Sequence, residues 1–315
     1  MALHLVPRGM LYVEAVAEAG SIQAASREIG IAASAIDRQI VLLEQRLGVQ
    51  LFERQRSGMS LSPAGEQFLA LTRRWRSDER QIWSSIKQMQ GLELGHVRLL
   101  AMDSMANGVI PRLIGKLFEN YPRVQLDIEF TTPDSVTDHL TKGEVDIALA
   151  FNIKPHRDLH IMWTTDLPLG CLAAPDHPVA QKPEIRLSEA IRHPVAMQSR
   201  SLAIRRLLES KHGWIFSELR PPVATNSLQL VKHLAVSGSH VAITSELDAA
   251  PELIDGSLVF VPVMDRNVMA QTASVVISTR RSLSQIGRKV GELVCDELEQ
   301  MLADVRRTDT QPPPA

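Results

Sequence analysis

A short helix, a tight turn and a longer helix are predicted in immediate succession between residues 21 and 48, and this pattern constrains the fold more than any other feature. Ser21 supplies an N-cap oxygen for a helix over about Ile22 to Ile29, and Gly30 permits the turn. The next helix carries an apolar stripe of Ala35, Ile36, Ile40, Leu43 and Leu47. Such a stripe holds a helix against its domain while the polar side stays outward, which favours a helix-turn-helix with its last helix in the DNA major groove.

A wing is predicted directly after that helix. Residues 49 to 61 form a strand-like run, a loop containing Gly58 and a returning apolar segment. The predicted DNA-binding residues are Ser34, Asp37 and Arg38 near base edges, and Arg54 and Arg56 on the phosphate backbone. Each feature alone also fits an ordinary helical hairpin with a solvated charged loop, whereas their order favours a winged helix-turn-helix.

Four segments of the chain resemble one known family. The run AVAEAGSIQAASREIGIAASAIDRQIVLLEQRLGVQLFERQRSGMSLSPAGE resembles the N-terminal domain of LysR-type transcriptional regulators. Similar stretches follow as GEVDIALA at 143–150, APDHPVA at 174–180 and AVSGSHVAITSE at 235–246. The resemblance implies a regulator that binds promoter DNA, senses a small-molecule co-inducer (a carboxylate or aromatic acid) and assembles as a homodimer or homotetramer. RNA polymerase is a further expected partner, and no cofactor besides the co-inducer is expected. Composition, with no apolar run of membrane-spanning length, predicts a cytoplasmic location.

The chain departs from the family pattern at the start of the predicted DNA-binding helix, the last helix of the helix-turn-helix. Asp37 stands where members carry a small polar residue, and Ala33 and Ser34 replace a Gln-Pro pair. The Asp37 carboxylate could accept a hydrogen bond from cytosine, or it could pair with Arg38 or Arg54. Residues 1–66 hold six Arg and seven Asp or Glu, a net charge of −1, so a single copy should bind DNA weakly.

A long linker helix is the predicted dimerisation element of the chain. From Pro63, apolar residues recur at alternating spacings of three and four, interrupted by Asp78, which could fix the register of a paired helix. The stripe consists of Ala64, Phe68, Leu71, Trp75, Ile82, Ile86 and Met89. The intervening faces are strongly charged, so the helix is predicted to stand clear of the globular body and to dimerise. Packing of the helix on its own domain is the alternative.

Beyond Gly95, strands alternate with helices, which predicts an α/β body built on parallel sheets. The family resemblance implies two lobes, as in periplasmic binding proteins. The predicted organisation is a winged helix-turn-helix domain at 1–66, a linker helix at 67–90 and an effector domain at 91–305. Lobe 1 comprises 91–165 and 270–305, lobe 2 comprises 166–269, and a disordered tail follows at 306–315.

The effector site is predicted where strands of this body end, because helix N-termini offer free N–H groups there. The predicted effector-binding residues are Ser104, Thr131, Thr132, Phe151, Asn152, Ser199, Arg200, Asn226 and Ser227. Several of these roles follow from the family resemblance, and Arg200 is the candidate for neutralising an acidic effector. Each polar residue taken alone could be no more than a helix cap.

Two rival functions were weighed against a regulator. An enzyme is disfavoured because the chain contains no GxGxxG after a strand, Walker loop, GxSxG or CxxC, and no catalytic residue is predicted. A two-lobed solute-binding protein is disfavoured by the winged helix and by the lack of a leader. No metal site and no membrane partner are predicted, since ligand clusters and long apolar runs are missing, and Cys171 and Cys295 are expected to be buried, inert thiols.

Overall fold

The computed structural model describes residues 5–55, 58–89, 95–218, 223–265 and 268–308, and within these it leaves out the side chains of residues 54, 55, 81, 84, 85, 87–89, 217 and 218. The described chain forms two compact units. The first contains the described residues before position 90 together with 141–144, and the second contains those from 95 to 140 and from 145 onward. The domain and lobe boundaries given above stay predictions.

The first unit is mostly helical. Its elements are α1 (Arg8–Ala19), α2 (Ile22–Ile29), α3 (Ala33–Leu47), β1 (Phe52–Gln55), β2 (Gly58–Leu61) and α4 (Pro63–Met89). The predicted bounds of α2 are confirmed, because the Ser21 Oγ accepts a hydrogen bond from the Ala24 N–H at 3.1 Å and Gly30 ends the helix at a φ of 67°. Such a φ favours glycine, so the turn before α3 is set by the sequence.

The apolar stripe of α3 is narrower than predicted. Ile36 and Ile40 are buried in the core of the unit, and Leu43 packs against it. The prediction was wrong for two members: Ala35 is exposed because it lies about 100° around the helix from Ile36, and Leu47, in the last turn, is 47% exposed.

The wing is anchored at both ends. The Glu44 Oε1 of α3 accepts hydrogen bonds from the Leu51 N–H at 2.8 Å and the Phe52 N–H at 3.2 Å, where β1 begins. At the other end the Ser62 Oγ accepts from the Gly65 N–H at 3.0 Å and so caps α4. The antiparallel pair β1–β2 is therefore held between two helices.

The long helix α4 does not stand clear of its unit, contrary to the sequence-based expectation. Its N-terminal half buries Leu69 and Thr72. A charged side chain that was expected to be solvated, Arg76, donates to the Oε2 of the buried Glu14 on α1 at 2.5 Å. The alternative, packing on its own domain, therefore describes the first half of the helix.

The second unit alternates strands and helices over the rest of the described chain. Its strands are β3 (Gly95–Ala101), β4 (Val124–Phe130), β5 (Ile147–Phe151), β6 (Leu159–Leu167), β7 (Leu169–Ala173), β8 (Ala196–Gln198), β9 (Val223–Thr225), β10 (Ala242–Ser245), β11 (Val259–Pro262) and β12 (Gln271–Ser278). Its α-helices are α5 (Val109–Asn120), α6 (Pro133–Lys142), α7 (Leu187–Ala190), α8 (Ala203–His212), α9 (Ile215–Glu218), α10 (Leu228–Val236), α11 (Ala250–Ile254) and α12 (Gln285–Thr308).

Two sets of strands form two lobes. The first lobe has the order β4-β3-β5-β12-β6, with β3 parallel to β4 and β5, and β12 antiparallel to β5 and β6. The second lobe places β7 between β10 and β11, antiparallel to both, beside the parallel pair β8–β9. The prediction of parallel sheets was wrong for β7, β10, β11 and β12. The chain leaves the first lobe on β6, enters the second on β7 and returns on β12, and these crossing strands run against their neighbours.

Candidate functional site

The polar side of α3 faces outward. Ser34 and Arg38 are exposed and Asp37 is half-buried, while Ile36 and Ile40 on the opposite side are 0% and 1% exposed. A helix fixed by one apolar side presents its other side as a rigid surface. The first half of α3 is therefore available to enter a groove of DNA.

A concavity surrounds the start of this helix. It lies between the N-terminus of α2, the N-terminus of α3 and the strand β2, and its volume is about 460 Å³. It is lined by Ser21, Ile22, Gln23, Ala33, Ser34, Asp37, Gly58 and Met59. Ala32 caps α3 without a side-chain hydrogen bond, so the first N–H groups of α3 lack a side-chain acceptor. Free N–H groups at a helix N-terminus attract anions, which suits a phosphate of DNA.

The wing lies against the turn between α1 and α2. The Met59 N–H donates to the Gly20 carbonyl at 2.8 Å, and Gly58 has a φ of 138°. A Cβ on Gly58 would lie 2.6 Å from the Gly20 oxygen, so only glycine fits this approach. The predicted phosphate contacts are not placed: Arg56 and the side chain of Arg54 lie outside the described residues. Ser34 and Asp37 both line the concavity. Whether the Asp37 carboxylate contacts a base or pairs with an arginine stays open.

From Trp75 onward, α4 carries large apolar side chains that are partly exposed in the described structure. Trp75, Ile82, Trp83 and Ile86 are 44%, 49%, 38% and 39% exposed. The predicted seam residue Asp78 is half-buried. Exposed large apolar residues at helical spacing are typical of a helix that packs against a partner.

A cleft in the second unit lies where strands of both lobes end. The space between its walls is about 390 Å³ when the part open to solvent is included, and the cavity itself is about 40 Å³. Its lining residues are Met102, Asp103, Ser104, Thr131, Pro133, Phe151, Gln198, Leu202, Ala203, Ile204, Leu228, Thr244, Asp248 and Gln271. The first lobe contributes the ends of β3, β4 and β5, and the second contributes the end of β8 and the starts of α8 and α10.

Several polar groups in this cleft have no partner among the described residues. The buried atoms are the Asp103 Oδ2, the Ser104 Oγ, the Gln271 Oε1 and both amide atoms of Gln198. Ser104 is 6% exposed, and Gln198 and Gln271 are each 1% exposed. Unpaired buried polar atoms cost free energy, so their concentration in one cavity indicates a site for a polar ligand.

The cleft contains three of the predicted effector-binding residues: Ser104, Thr131 and Phe151 line it. Thr132, Ser199 and Asn226 lie near the strand ends but are not among the lining residues. The Ser227 Oγ accepts from the Leu230 N–H at 3.3 Å and so caps α10.

Two further predicted residues form contacts away from this cleft. Asn152 has a φ of 53°, and its Oδ1 accepts from the Thr272 N–H at 2.9 Å, which ties β5 to β12. The side chain of Arg200 is 81% exposed, and its Nε donates to the Glu209 Oε1 at 3.0 Å. Arg200 is not among the residues that line the cleft, and its predicted role stays a prediction.

Sequence reasoning left out most of the polar lining. The predicted effector-binding residues do not include Asp103, Gln198, Thr244, Asp248 or Gln271, which all line the cleft. The run Ser245 to Asp248 carries a capping-box signal, which the structure contains. Gln271 begins the strand that returns to the first lobe, and no sequence signal marks it.

Comparison with known proteins decides the family. The model of the "Bacterial regulatory helix-turn-helix protein, lysR family" matches residues 7–66. The model of the "LysR substrate binding domain" matches residues 90–298, about two thirds of the chain.

The chain belongs to the LysR family.

LysR-family relatives align over most of their length. The transcriptional regulator CbbR of Sinorhizobium medicae is 29% identical over 273 residues, which cover 85% of this chain and 86% of the relative. The transcriptional activator CmpR of Synechocystis is 23% identical over 244 residues, covering 78% and 80%. The family consists of DNA-binding transcriptional regulators rather than enzymes, and so this chain is a regulator with a helix-turn-helix and an effector-binding domain.

Solved structures of LysR-family proteins share the fold. A full-length OxyR variant from Pseudomonas aeruginosa superimposes with a TM-score of 0.67 at 21% identity, covering 99% of this chain and 100% of the OxyR chain. CbnR gives a TM-score of 0.61 at 18% identity, covering 96% and 99%. No helix among the described residues is long and apolar enough to cross a membrane.

Both cysteines of this LysR-family chain are unreactive by their surroundings. Burial raises the pKa of the Cys171 thiol to about 12. Burial, with the nearby carboxylates of Asp296 and Glu299, raises the pKa of Cys295 to about 11. Thiolate is the reactive form, so both side chains stay protonated and slow to react near neutral pH.

Proposed function

We propose that the chain is a cytoplasmic transcriptional regulator that binds operator DNA through the polar side of α3 and the wing. The observation that carries the proposal is the exposure of Ser34 and Arg38 on a helix whose opposite side is buried in the core. A related structure supports it: CbnR is described as complexed with its target DNA, and it shares this fold with a TM-score of 0.59. Arg38 would donate to a base edge, and the uncapped start of α3 would meet a phosphate.

A selection experiment tests this role directly. Duplexes that the full-length protein retains are selected from a random pool, and affinity for the selected sequence is measured by gel shift. Arg38→Ala should weaken binding by about 1 to 3 kcal/mol, or roughly 5- to 150-fold, if Arg38 reads a base. Arg46→Ala is the matched control, because Arg46 is an exposed arginine in the last turn of the same helix. Failure to select any sequence, or unchanged affinity in Arg38→Ala, contradicts the proposal.

We also propose that α4 pairs two copies through its exposed stripe, as a homodimer or as the dimer within a homotetramer. Ile82 and Ile86 lie one turn apart and are both exposed, so each offers apolar surface to the same partner. The double variant Ile82→Arg/Ile86→Arg should sediment as a smaller species than the wild type. Phe118→Arg, which places the same charge at an equally exposed apolar residue of α5, should leave the assembly intact.

The cleft between the lobes is the proposed effector site. A bound effector would change the relative setting of the two lobes and thereby the arrangement of paired DNA-binding domains. The cluster of unpaired polar atoms supports a ligand there. The carboxylate or aromatic-acid effector and the contact with RNA polymerase that the resemblance implies stay predictions. The structure bears on the charge of the effector.

A further inference from the structure

The cleft contains negative charge without a compensating cation. Among the described residues, its charged lining groups are Asp103 and Asp248, and no Lys, Arg or His lines it. The buried cation on α10 is Lys232, one turn beyond Leu228. Its Nζ lies 2.7 Å from the Glu252 Oε1, so the carboxylate balances its charge, although no hydrogen bond of normal geometry reaches this Nζ among the described residues. The N–H groups at the uncapped start of α8 offer an anion only about half a positive charge, so a carboxylate in this cleft would still meet like charge and no positive side chain.

The two acids differ in how their charge is satisfied. The Asp248 Oδ2 accepts from the Thr244 Oγ1 at 2.5 Å and from the Ser245 Oγ at 2.9 Å, and the Gln271 Nε2 is 3.5 Å away. These donors hold Asp248 as a structural part of the cleft wall. The buried Oδ2 of Asp103, by contrast, has no partner among the described residues. Asp103 is therefore the carboxylate to which a ligand would supply the missing hydrogen bond.

The unpaired atoms around Asp103 mostly accept hydrogen bonds. The Asp103 Oδ2, the Gln198 Oε1 and the Gln271 Oε1 are acceptors, the Gln198 Nε2 is a donor, and the Ser104 hydroxyl can act either way. A ligand that satisfies this set must bring more donors than acceptors. A protonated amine brings three N–H donors and a positive charge, whereas a carboxylate brings none.

We propose that the cleft selects a small ligand that carries a protonated amine and a short apolar body, and disfavours carboxylates. This inference rests on the proposed effector role of the cleft and deepens it. The amine would bind the Asp103 carboxylate together with the oxygens of Gln198 and Gln271. The apolar body would lie against Phe151 and the aliphatic side chains that complete the lining: Met102, Leu202, Ile204 and Leu228.

Three matched probes test the charge preference. Benzylamine, benzamide and benzoate share one ring and differ in the charge of their polar group. Thermal unfolding of the full-length protein is followed with each probe, because a ligand of the native state raises the unfolding midpoint. Benzylamine should raise the midpoint most, benzamide less, and benzoate not at all. A benzoate shift equal to or larger than that of benzylamine overturns the proposal, and so does the absence of any benzylamine shift at about 10 mM.

Asp103→Asn tests the residue that carries the inference. The variant should bind benzylamine roughly 10- to 100-fold more weakly than the wild type does, because a charge-assisted hydrogen bond is lost. Its affinity for benzamide should be nearly that of the wild type. Its midpoint without ligand should equal or exceed that of the wild type, since an unpaired buried charge is removed. Asp176→Asn removes the same charge from an exposed turn of the second lobe and should keep the full benzylamine response. An unchanged benzylamine affinity in Asp103→Asn overturns the proposal.

Gel shifts on the same proteins separate this inference from the proposed function. If the wild type binds selected DNA but prefers benzoate, the amine assignment fails and the regulator stands. If the wild type binds no DNA, the proposed function fails whatever the probes show.

Discussion

Gly65 offers a sharp test of how the wing is fixed to the linker helix. It lies in the first turn of α4, and a Cβ added there would lie 2.0 Å from the Leu51 carbonyl oxygen. That oxygen cannot move freely, because it accepts from the Ser62 N–H at 2.9 Å and Leu51 is 1% exposed. Gly65→Ala must therefore displace the start of β1 or the start of α4.

The expected loss of stability follows from three opposing effects. Overpacking typically costs about 1 to 3 kcal/mol, and weakening the Ser62–Leu51 hydrogen bond costs about 1 kcal/mol more. Alanine has a better helix propensity than glycine, which offsets up to about 1 kcal/mol of this loss of stability. The first unit should therefore lose about 1 to 3 kcal/mol, which in a small domain lowers the unfolding midpoint by roughly 4 to 24 °C.

The assay must report on the first unit, because a chain of two units need not unfold in one step. Binding of selected DNA, followed by fluorescence anisotropy as temperature rises, meets this need. Gly115→Ala is the control: Gly115 lies in α5 with no atom within 4 Å of an added Cβ, so alanine there should be neutral or slightly stabilising. A midpoint for Gly65→Ala within about 2 °C of the wild type would refute the reasoning.

Three further outcomes are expected. Glu14→Gln should destabilise the first unit by about 1 to 2 kcal/mol, because the buried Glu14 would lose its ionic bond to Arg76; the same midpoint assay checks this, and no change would contradict it. Hydrogen bonding to the Arg112 guanidinium holds the pKa of Asp304 below its ordinary value of 3.8. The resulting stabilisation is complete above that pH and is lost as the pH falls through the lowered pKa, so Asp304→Asn should destabilise the protein at pH 7 and match the wild type in strong acid, as measured by urea unfolding. Finally, the Cys295 thiol should resist iodoacetamide in the folded protein at neutral pH, whereas rapid labelling seen by mass spectrometry would show that its pKa is not raised.

Local sequence signals predicted α3 and its neighbouring helices, because such signals act over a few residues. Ser21 and Gly30 set the bounds of α2 through a cap and a left-handed turn, and Pro63 marks the start of α4. The strand β6 was missed, since Leu159–Leu167 mixes polar and apolar residues and only its pairing with β12 defines it. Strand direction likewise depends on partners that are distant in sequence.

The residues of the cleft could likewise be predicted only in part from local sequence signals. Ser104 follows a predicted strand, so its position at a strand end could be foreseen. Gln271 enters the cleft only because the chain returns to the first lobe after visiting the second, and nothing local encodes that return. Arg200 follows a strand end in sequence yet turns to Glu209 at the surface. Position at a strand end therefore locates the edge of the sheet, while the direction of each side chain requires the packed structure.

The placement of β12 between β5 and β6 has a consequence for how the chain is made. Until residue 278 has left the ribosome, the side chains of β5, all buried in the finished protein, lack the cover of β12. Among the described strands, one edge of β5 then has no hydrogen-bonding neighbour, and β6 has no neighbour on either edge. An unpaired apolar edge invites association with other nascent chains. Truncation before Gln271 should therefore yield aggregates rather than a smaller folded lobe, and synthesis of the last seventh of the chain, from Gln271 onward, decides whether the earlier portion stays in solution.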